Sequence, residues 1–288
     1  MKLLRYGKIG KEKPGILDSA GRIRDLSAHI SDIDGTNITP KALAKLKKIN
    51  IEKLPLVRGR PRIGACVNKS SKFIAIGLNY ADHAAESGLK VPDEPVVFTK
   101  QINCICGPND NITLPPKSKK GDWEVELGVI IGTRAKNIKK ADALNYVAGY
   151  CTINDISERE FQVERSGQWT KGKSYDTFGP VGPWLVTSDE VGDPQALSMW
   201  LEVNGHRYQN GSTKTMIFSP AAIVSHLSQF MTLRAGDLIT TGTPPGVGLG
   251  VKPNPVYLKP GDVMRLAIEK LGEQQQTVYA WDPVLIDG

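Results

Sequence analysis

Asp122-Trp123-Glu124-Val125-Glu126-Leu127-Gly128 opens an apolar run that continues to Ile131 and is typical of a buried strand. Side chains two residues apart on a strand leave the same face, so Glu124 and Glu126 are predicted to lie side by side. Two adjacent carboxylates repel each other and are costly to remove from water. A bound divalent cation is the simplest compensation. The alternative is an edge strand whose acidic pair faces solvent with nothing bound.

A third acid, Asp155, ends a second apolar strand and could complete the set. Three carboxylates with no His or Cys beside them suit Mg²⁺ or Mn²⁺, since these hard ions prefer oxygen ligands and keep water positions open. A magnesium or manganese site is therefore one prediction, and a solvent-facing acidic pair is the other.

The chain has 288 residues and a formal net charge of +7. Much of the excess lies in Lys41–Lys48, on a predicted helix, and in Lys117–Lys120, in a Pro-rich loop, and we interpret both as solvated faces. A nucleic-acid partner is not predicted because aromatic residues do not alternate with these basic ones. A modest positive field would still attract small anionic metabolites.

Hydropathy predicts a cytoplasmic protein. The chain contains no apolar run of the length needed to cross a membrane, so no membrane partner is expected. Its first residues lack a hydrophobic signal region. The four cysteines form no pattern with zinc-ligand spacing, and we interpret them as reduced packing residues, as expected in a reducing compartment.

The first 70 residues differ in sequence pattern from the rest and predict a small N-terminal α+β subdomain. Ile16–Leu26 has the pattern of a hairpin with a Gly-containing turn. Thr39-Pro40 is typical of a helix start, with Thr as the N-cap and Pro at the first helical position. Leu54–Gly64 is rich in Pro, Arg and Gly and indicates a connector. We therefore predict a boundary near residue 70, with a larger domain over 71–288.

The larger domain is predicted to be rich in strands. Buried strands are expected at 72–78 and 96–100, a short helix at 141–147, and a hairpin at Asn204-Gly205. A second helix is expected to follow Ser219-Pro220. Many non-consecutive strands with few long helices favour an α+β fold built on a β-sandwich or β-roll. No GxGxxG or P-loop follows a strand, so a nucleotide cofactor is not expected.

His83 and Glu86 follow the strand predicted at 72–78. If this stretch is one turn of helix, the two side chains share a face and can form a hydrogen bond. A carboxylate on one imidazole nitrogen orients the ring and leaves the other nitrogen to take a proton from water. The alternative is a surface histidine with an accidental helical neighbour.

Three further positions could contact a ligand, and each has an ordinary alternative. Lys173 lies in a Gly-flanked, aromatic-rich stretch, where a lysine can neutralise a carboxylate or a developing oxyanion, or can simply be solvated. Thr240–Gly248 offers hydroxyl and backbone N–H groups on a rigid turn that could grip a carboxylate, or it is only a tight loop. Arg159 and Gln162 lie one turn apart beyond Asp155 and could face a ligand or solvent.

Together these segments give the chain a resemblance to the fumarylacetoacetate hydrolase family, over roughly residues 72–280. Five motifs occur in the order found in that family. They are Asn79-Tyr80-Ala81-Asp82-His83-x-x-Glu86, Trp123-Glu124-x-Glu126-Leu127, Asn154-Asp155-Ile156-Ser157-Glu158-Arg159, Gly172-Lys173-Ser174-Tyr175-Asp176 and Thr241-Gly242-Thr243-Pro244-x-Gly246-Val247-Gly248. The N-terminal 70 residues resemble the leader of longer bacterial members.

The resemblance implies a mixed β-roll, a homodimer and a role for each matched residue. Glu124, Glu126 and Asp155 would be the Mg²⁺ or Mn²⁺ ligands. The other matched positions would act on the substrate: His83 with Glu86 as a water-activating dyad on a lid, Lys173 as the lysine that faces the substrate, and Arg159, Gln162 and Thr243 as substrate contacts.

The expected activity is hydrolysis of a C–C bond in a 2,4-dioxo acid, either an acylpyruvate or a 2,4-diketo-3-deoxy sugar acid. Relatives with the same metal chemistry leave other reactions open: ureidoglycolate cleavage as the runner-up, oxaloacetate decarboxylation, and isomerisation of a 2-hydroxy-diene dioate. A non-catalytic metal-binding module is a further alternative, although the complete set of matched residues counts against it.

Overall fold

The computed structural model describes residues 1–81 and 90–282. Its α-helices are α1 (Pro40–Leu46), α2 (Trp169–Lys173), α3 (Ser188–Val191) and α4 (Pro220–Phe230). Its strands are β1 (Lys2–Tyr6), β2 (Lys13–Leu17), β3 (Ile23–Asp25), β4 (Ile63–Gly64), β5 (Phe73–Gly77), β6 (Val96–Lys100), β7 (Ile105–Cys106), β8 (Ile112–Leu114), β9 (Gly121–Asp122), β10 (Val125–Ile131), β11 (Val147–Asn154), β12 (Ser157–Glu158), β13 (Gly179–Thr187), β14 (Ser198–Val203), β15 (His206–Ser212), β16 (Leu238–Thr240), β17 (Val263–Ile268) and β18 (Gly272–Ala280).

A large mixed sheet carries the centre of the fold. Its main path runs β3-β2-β1-β13-β11-β10-β16-β5-β6, with β4 paired to β1 and β7 paired to β13. Most pairs are antiparallel, but β16 runs parallel to β5 and β7 runs parallel to β13. A five-stranded sheet, β15-β14-β17-β18-β8, packs β17 and β18 against the central strands of the large sheet. The α+β fold class is confirmed.

Burial on both faces explains why the central strands are continuously apolar. Every residue of β10 and of β11 is buried, because the five-stranded sheet covers one side of this region and other elements cover the other. Strands in that position have no solvent face and so do not alternate polar with apolar residues. The apolar run of β10 therefore reflects its burial. Glu126 is the acid within this run, and its burial requires a compensating interaction.

The N-terminal segment extends the same large sheet. The predicted hairpin is formed by β2 and β3, with Leu17 opposite Ile23. Next to it, β1 pairs with β13, where Leu3 lies opposite Leu185. The segment also contributes α1, whose N-cap Thr39 accepts a hydrogen bond from the Ala42 backbone N–H at 3.3 Å. The division into two domains near residue 70 stays a prediction, although the backbone pairing crosses it.

Most predicted elements are present, and one has a different form. The hairpin at Asn204-Gly205 joins β14 to β15, with both turn residues at positive φ as a tight hairpin turn requires. The segment predicted as a short α-helix at 141–147 is a 3₁₀ helix, Lys140–Tyr146. Among the described residues, no helix is long and apolar enough to cross a membrane.

Candidate active site

The strand register brings the three predicted metal ligands together. Glu124 precedes β10, and Asp155 follows β11, where the antiparallel pair Val125–Asn154 places them at the same end. The Asp155 backbone N–H donates to the Glu124 carbonyl at 2.9 Å. One carboxylate oxygen from each of Glu124, Glu126 and Asp155 lies within 4.8 Å of the other two, and all three residues are buried. We call these three residues the acid cluster.

Glu126 is held by neutral donors. Its Oε2 accepts hydrogen bonds from Thr240 Oγ1 at 2.5 Å and from the Gly242 backbone N–H at 2.7 Å. Both donors lie where β16 ends and the following turn begins, so the turn predicted to offer hydroxyl and N–H groups does offer them. Burial, followed by the charges of Asp155 and Glu124, holds the pKa of Glu126 well above its usual range.

Two buried lysines neutralise part of the acid cluster. Lys173 lies at the end of α2, and its Nζ donates to Glu124 Oε2 at 2.9 Å and to Asp155 Oδ2 at 2.7 Å. Burial acts to lower the pKa of Lys173, but the charges of Asp155 and Glu124 outweigh it and raise that pKa. Lys100, at the end of β6, donates to Asp155 Oδ1 at 2.6 Å and to the Lys173 carbonyl oxygen. Sequence reasoning did not identify Lys100.

Gln162 lies in a π-helical turn, Glu160–Glu164, and Arg159 is the N-cap residue of that turn. Single π-turns often occur at functional sites because they redirect side chains. Arg159 Nη1 lies 2.7 Å from Glu124 Oε1 and 2.9 Å from Gln162 Oε1. Arg159 Nε donates to Asp122 Oδ2 at 2.7 Å. The remaining nitrogen, Nη2, is buried and has no hydrogen-bond partner among the described residues.

Asp122 connects Arg159 to the turn that follows β16, which the sequence predicts over Thr240–Gly248. Its carboxylate accepts from the backbone N–H of Gly248 at 2.7 Å and of Leu249 at 3.0 Å. The neighbouring Trp123 is fully buried and donates its indole N–H to the Gly246 carbonyl at 3.0 Å. The stretch from Asp122 to Gly128 therefore contributes one wall of the site as well as two of its acids.

A cavity of about 200 Å³ lies over the acid cluster. The charged and polar residues that line it are Glu124, Glu126, Arg159, Gln162, Lys173 and Thr243. The side chain of Thr243 is already engaged, since its hydroxyl donates to the Val125 carbonyl at 2.9 Å and accepts from Gln209 at 2.7 Å. His83 and Glu86 lie outside the described residues, so the dyad stays a prediction.

The donor set and the charge balance fit a hard divalent cation. The site contains four buried carboxylates, the acid cluster and Asp122, and three buried cations, Lys100, Lys173 and Arg159, which form ion pairs with Asp122, Glu124 and Asp155. With all of them ionised, these described groups carry a formal charge of −1, and burial, followed by the charges of Asp155 and Glu124, raises the pKa of Glu126. A cation bound by the acid cluster would remove the repulsion, and oxygen-only ligands select ions such as Mg²⁺ or Mn²⁺.

Comparison with known proteins identifies the family. Residues 72–279 match the family model described as fumarylacetoacetate (FAA) hydrolase, C-terminal. A protein of Burkholderia orbicola (strain MC0-3), named only provisionally as a hydrolase and without a substrate, is 66% identical over 276 residues, which is 96% of this chain and 98% of that protein.

Two solved structures are similar over nearly the whole chain. Fumarylacetoacetate hydrolase from the psychrophile Exiguobacterium antarcticum is 35% identical with a TM-score of 0.83, covering 98% of this chain and 100% of that one. Maleylpyruvate hydrolase from Sphingobium sp. SYK-6, in complex with a manganese(II) ion and pyruvate, is 28% identical with a TM-score of 0.81 over the same shares.

The chain belongs to the fumarylacetoacetate hydrolase family, a family of enzymes. Its buried acid cluster and the manganese complex of a similar protein indicate that it binds a divalent metal ion.

Proposed function

We propose that this protein is a metal-dependent hydrolase that cleaves the C3–C4 bond of a 2,4-dioxo acid and releases pyruvate. The observation that carries the proposal is a cavity that lies over three converging buried carboxylates and is lined by two buried cations, Arg159 and Lys173. An anionic keto acid needs both, a cation to coordinate its oxygens and basic side chains to balance its charge. The pyruvate bound with manganese in a similar protein supports the same choice of ligand.

Glu124, Glu126 and Asp155 would hold the Mg²⁺ or Mn²⁺ ion. When bound there, the ion supplies Lewis-acid polarisation of the keto-acid oxygens, worth several kcal/mol at a transition state. All other parts of the mechanism belong to side chains of the protein.

Arg159 is proposed to bind the substrate carboxylate. Its Nη2 is buried without a partner among the described residues, which costs about 1–3 kcal/mol unless a ligand supplies an acceptor. Arg159 cannot turn away, because Asp122, Glu124 and Gln162 hold its other nitrogens. Gln162 also lines the cavity and accepts from Arg159 through Oε1, so its amide N–H groups are not used in that hydrogen bond.

Lys173 is proposed to stabilise negative charge that develops on the substrate. It lines the cavity, and the raised pKa caused by Asp155 and Glu124 keeps its ammonium group protonated at neutral pH. A fixed ammonium in a site shielded from water interacts strongly with an oxyanion and needs no reorganisation during the reaction.

The sequence prediction for His83 and Glu86 completes the proposal. His83, oriented by Glu86, would take a proton from water. The resulting hydroxide would add to the C4 carbonyl, the C3–C4 bond would break, and a proton would return to C3. The products are the carboxylic acid derived from the acyl group and pyruvate, so the atoms balance with one water consumed.

A substrate panel tests the reaction class. Acetylpyruvate, oxaloacetate and ureidoglycolate are assayed with Mg²⁺, with Mn²⁺ and with chelator, and pyruvate, CO₂ and glyoxylate are measured separately. Pyruvate and acetate from acetylpyruvate, only with metal, support the proposal. Glyoxylate from ureidoglycolate, or CO₂ from oxaloacetate, without any cleavage of acetylpyruvate would replace it with the lyase or decarboxylase alternative.

Three variants link the activity to the site. Glu124→Ala and Asp155→Ala should lose metal-dependent turnover, whereas full activity in both would show that the acid cluster is not the metal site. His83→Ala should lower kcat by about 10²–10⁴, the usual contribution of a general base. A homodimer and a cytoplasmic location are also proposed, on the resemblance and the sequence pattern alone, and light scattering tests the first.

A further inference from the structure

The cavity above the acid cluster is lined by two chemically different sets of residues. One is the charged and polar set that would hold the keto acid. The other set is apolar, and we call it the apolar half of the lining. Its members come from β5 and the residue after it, from β6, from the 160s segment and from the turn after β16, and they are Ile76, Leu78, Phe98, Val163, Trp169, Val247 and Leu249.

Phe98 and Trp169 form an aromatic wall in the apolar half. Their rings meet edge to face with centroids 5.2 Å apart. Lys173 Nζ lies 5.4 Å from the centroid of the Phe98 ring, so the wall begins next to the lysine that would balance the charge of the substrate. The acyl group of a 2,4-dioxo acid held at the acid cluster would therefore extend along this wall.

Close packing fixes the position of Trp169. A Cβ atom on Gly77 would lie only 2.4 Å from Trp169 Cζ3, so the indole ring packs directly on the backbone where β5 ends. The next residue, Leu78, has φ of +55°, an unusual conformation for a bulky side chain, and it also lines the cavity. Strained backbone of this kind is kept where the surrounding structure requires it.

Within the part of the chain that the structure describes, the apolar half contains no cation that could bind a second carboxylate. The two basic residues among the described cavity lining are Arg159 and Lys173, and both belong to the charged and polar set and form ion pairs with Glu124. A carboxylate placed against Phe98 and Trp169 would thus be desolvated without a partner, which is strongly unfavourable.

We propose that the substrate carries a short, uncharged acyl group that ends in an apolar carbon, and that acylpyruvates with a second, distal carboxylate are poor substrates. This inference rests on the proposed function, since it assigns the acyl side of that reaction. It separates this chain by specificity from an enzyme that acts on a dicarboxylate such as maleylpyruvate.

A matched pair of substrates tests the inference. Both 2,4-dioxoheptanoate and 2,4-dioxoheptanedioate have seven carbons and differ only in whether the chain ends in a methyl group or a carboxylate. With metal present, we expect kcat/KM for pyruvate release to favour the methyl-ended compound by at least about tenfold. A preference for the dioate would overturn the inference while leaving the proposed reaction intact.

A variant pair tests the cause of the preference. Val163 is 45% exposed at the cavity rim, so it can accept a longer side chain. Val163→Arg should shift the ratio of the two kcat/KM values toward the dioate by about tenfold, because a charge-assisted hydrogen bond becomes available to the distal carboxylate. Val163→Gln, which adds length without charge, should leave the ratio near that of the unmodified chain. An equal shift in both variants would contradict the electrostatic explanation.

Binding without turnover keeps the inference testable if neither dioxo acid is cleaved, which would count against the proposed function. Isothermal titration in Mg²⁺ compares 2-oxopentanoate with 2-oxopentanedioate, which again differ only in the distal group. Tighter binding of 2-oxopentanoate supports an apolar acyl half. Equal or tighter binding of 2-oxopentanedioate overturns it, whatever reaction the protein catalyses.

Discussion

Lys100 Nζ lies 2.6 Å from Asp155 Oδ1, and both side chains are almost completely buried. The same ammonium group donates to the Ile156 carbonyl at 3.3 Å and to the Lys173 carbonyl. Lys100 therefore ties one member of the acid cluster to the end of the helix that carries Lys173. It lines no part of the cavity described above, so we interpret it as a residue that positions the site and does not contact the substrate.

Lys100→Met should reveal this positioning role as a loss of stability. The variant leaves a buried carboxylate and a backbone carbonyl with fewer partners, and breaking a buried ion pair typically costs 3–5 kcal/mol, so we expect a loss of about that size in the free energy of unfolding. Urea unfolding in metal-free buffer measures it. The control is Lys47→Met, because Lys47 pairs with Asp189 at 2.9 Å but both are about half exposed. That change should cost no more than about 1 kcal/mol.

Glu126→Gln should make the metal-free protein more stable at neutral pH. In the folded chain the pKa of Glu126 is raised by burial and by Asp155 and Glu124. When folding raises the pKa of an acid, the protonated acid favours the folded state. This contribution to the free energy of unfolding is fully present below the pKa of the acid in the unfolded chain, about 4.3, and is lost as pH rises through its higher pKa in the folded chain. Stability of the unmodified, metal-free chain should therefore fall with rising pH over that window. The glutamine variant should lack this part of the slope and gain about 1–2 kcal/mol.

Metal binding gives a second measurement on the same residue. Below the raised pKa, binding of Mg²⁺ must displace the Glu126 proton, so titrations in buffers of different ionisation enthalpy should detect proton release that Glu126→Gln abolishes. The control acid is Asp237, which is also buried but accepts from Lys72 at 2.9 Å and Ser71 at 2.6 Å. Asp237→Asn should destabilise the protein. A glutamine variant less stable than the unmodified chain at every pH would contradict the repulsion argument.

The acid cluster could be predicted from sequence because strand periodicity is a local rule. Glu124 and Glu126 lie two apart beside an apolar run, so their shared face follows from the strand alone. Asp155 follows another apolar run. When two strands pair antiparallel, the end of one lies beside the start of the other, which brings Asp155 next to Glu124. In the structure, one carboxylate oxygen of each of the three acids lies within 4.8 Å of the other two, as a shared metal site requires.

Lys100 and the aromatic wall could not be predicted in the same way. Lys100 is the last residue of β6, and its partners lie 55 and 73 positions further along the chain. The path through β5 and β16 that connects β6 to the rest of the sheet involves a parallel pair, and no local pattern indicates which strands will be neighbours. Trp169 is likewise brought to Gly77 only by the tertiary fold. The one local signal for the role of Lys100 was its position at the end of a predicted apolar strand.

Gly77→Ala should disturb the aromatic wall without straining the backbone, since Gly77 does not adopt a left-handed conformation. The new methyl group would lie 2.4 Å from Trp169 Cζ3, and overpacking of this kind costs about 1–3 kcal/mol. Thermal or urea unfolding measures the cost. In a Trp169→Phe background the benzo ring of the indole, which carries Cζ3, is absent, so the same substitution should cost much less. Equal costs in both backgrounds would show that the ring is not what limits this position.

A shortened chain that begins at residue 71 tests whether the N-terminal segment is a separate domain. Its removal would expose the edge of β13, since β1 pairs with that strand, and would uncover core positions now covered by Leu3 and Cys66, which are fully buried. It would also leave Asp110 without Arg62, whose Nε donates to it at 2.7 Å. We therefore expect the shortened chain to aggregate or to unfold without cooperativity, as judged by light scattering and urea titration. A soluble, cooperatively folding product that still binds Mg²⁺ would instead support an independent domain over 71–288.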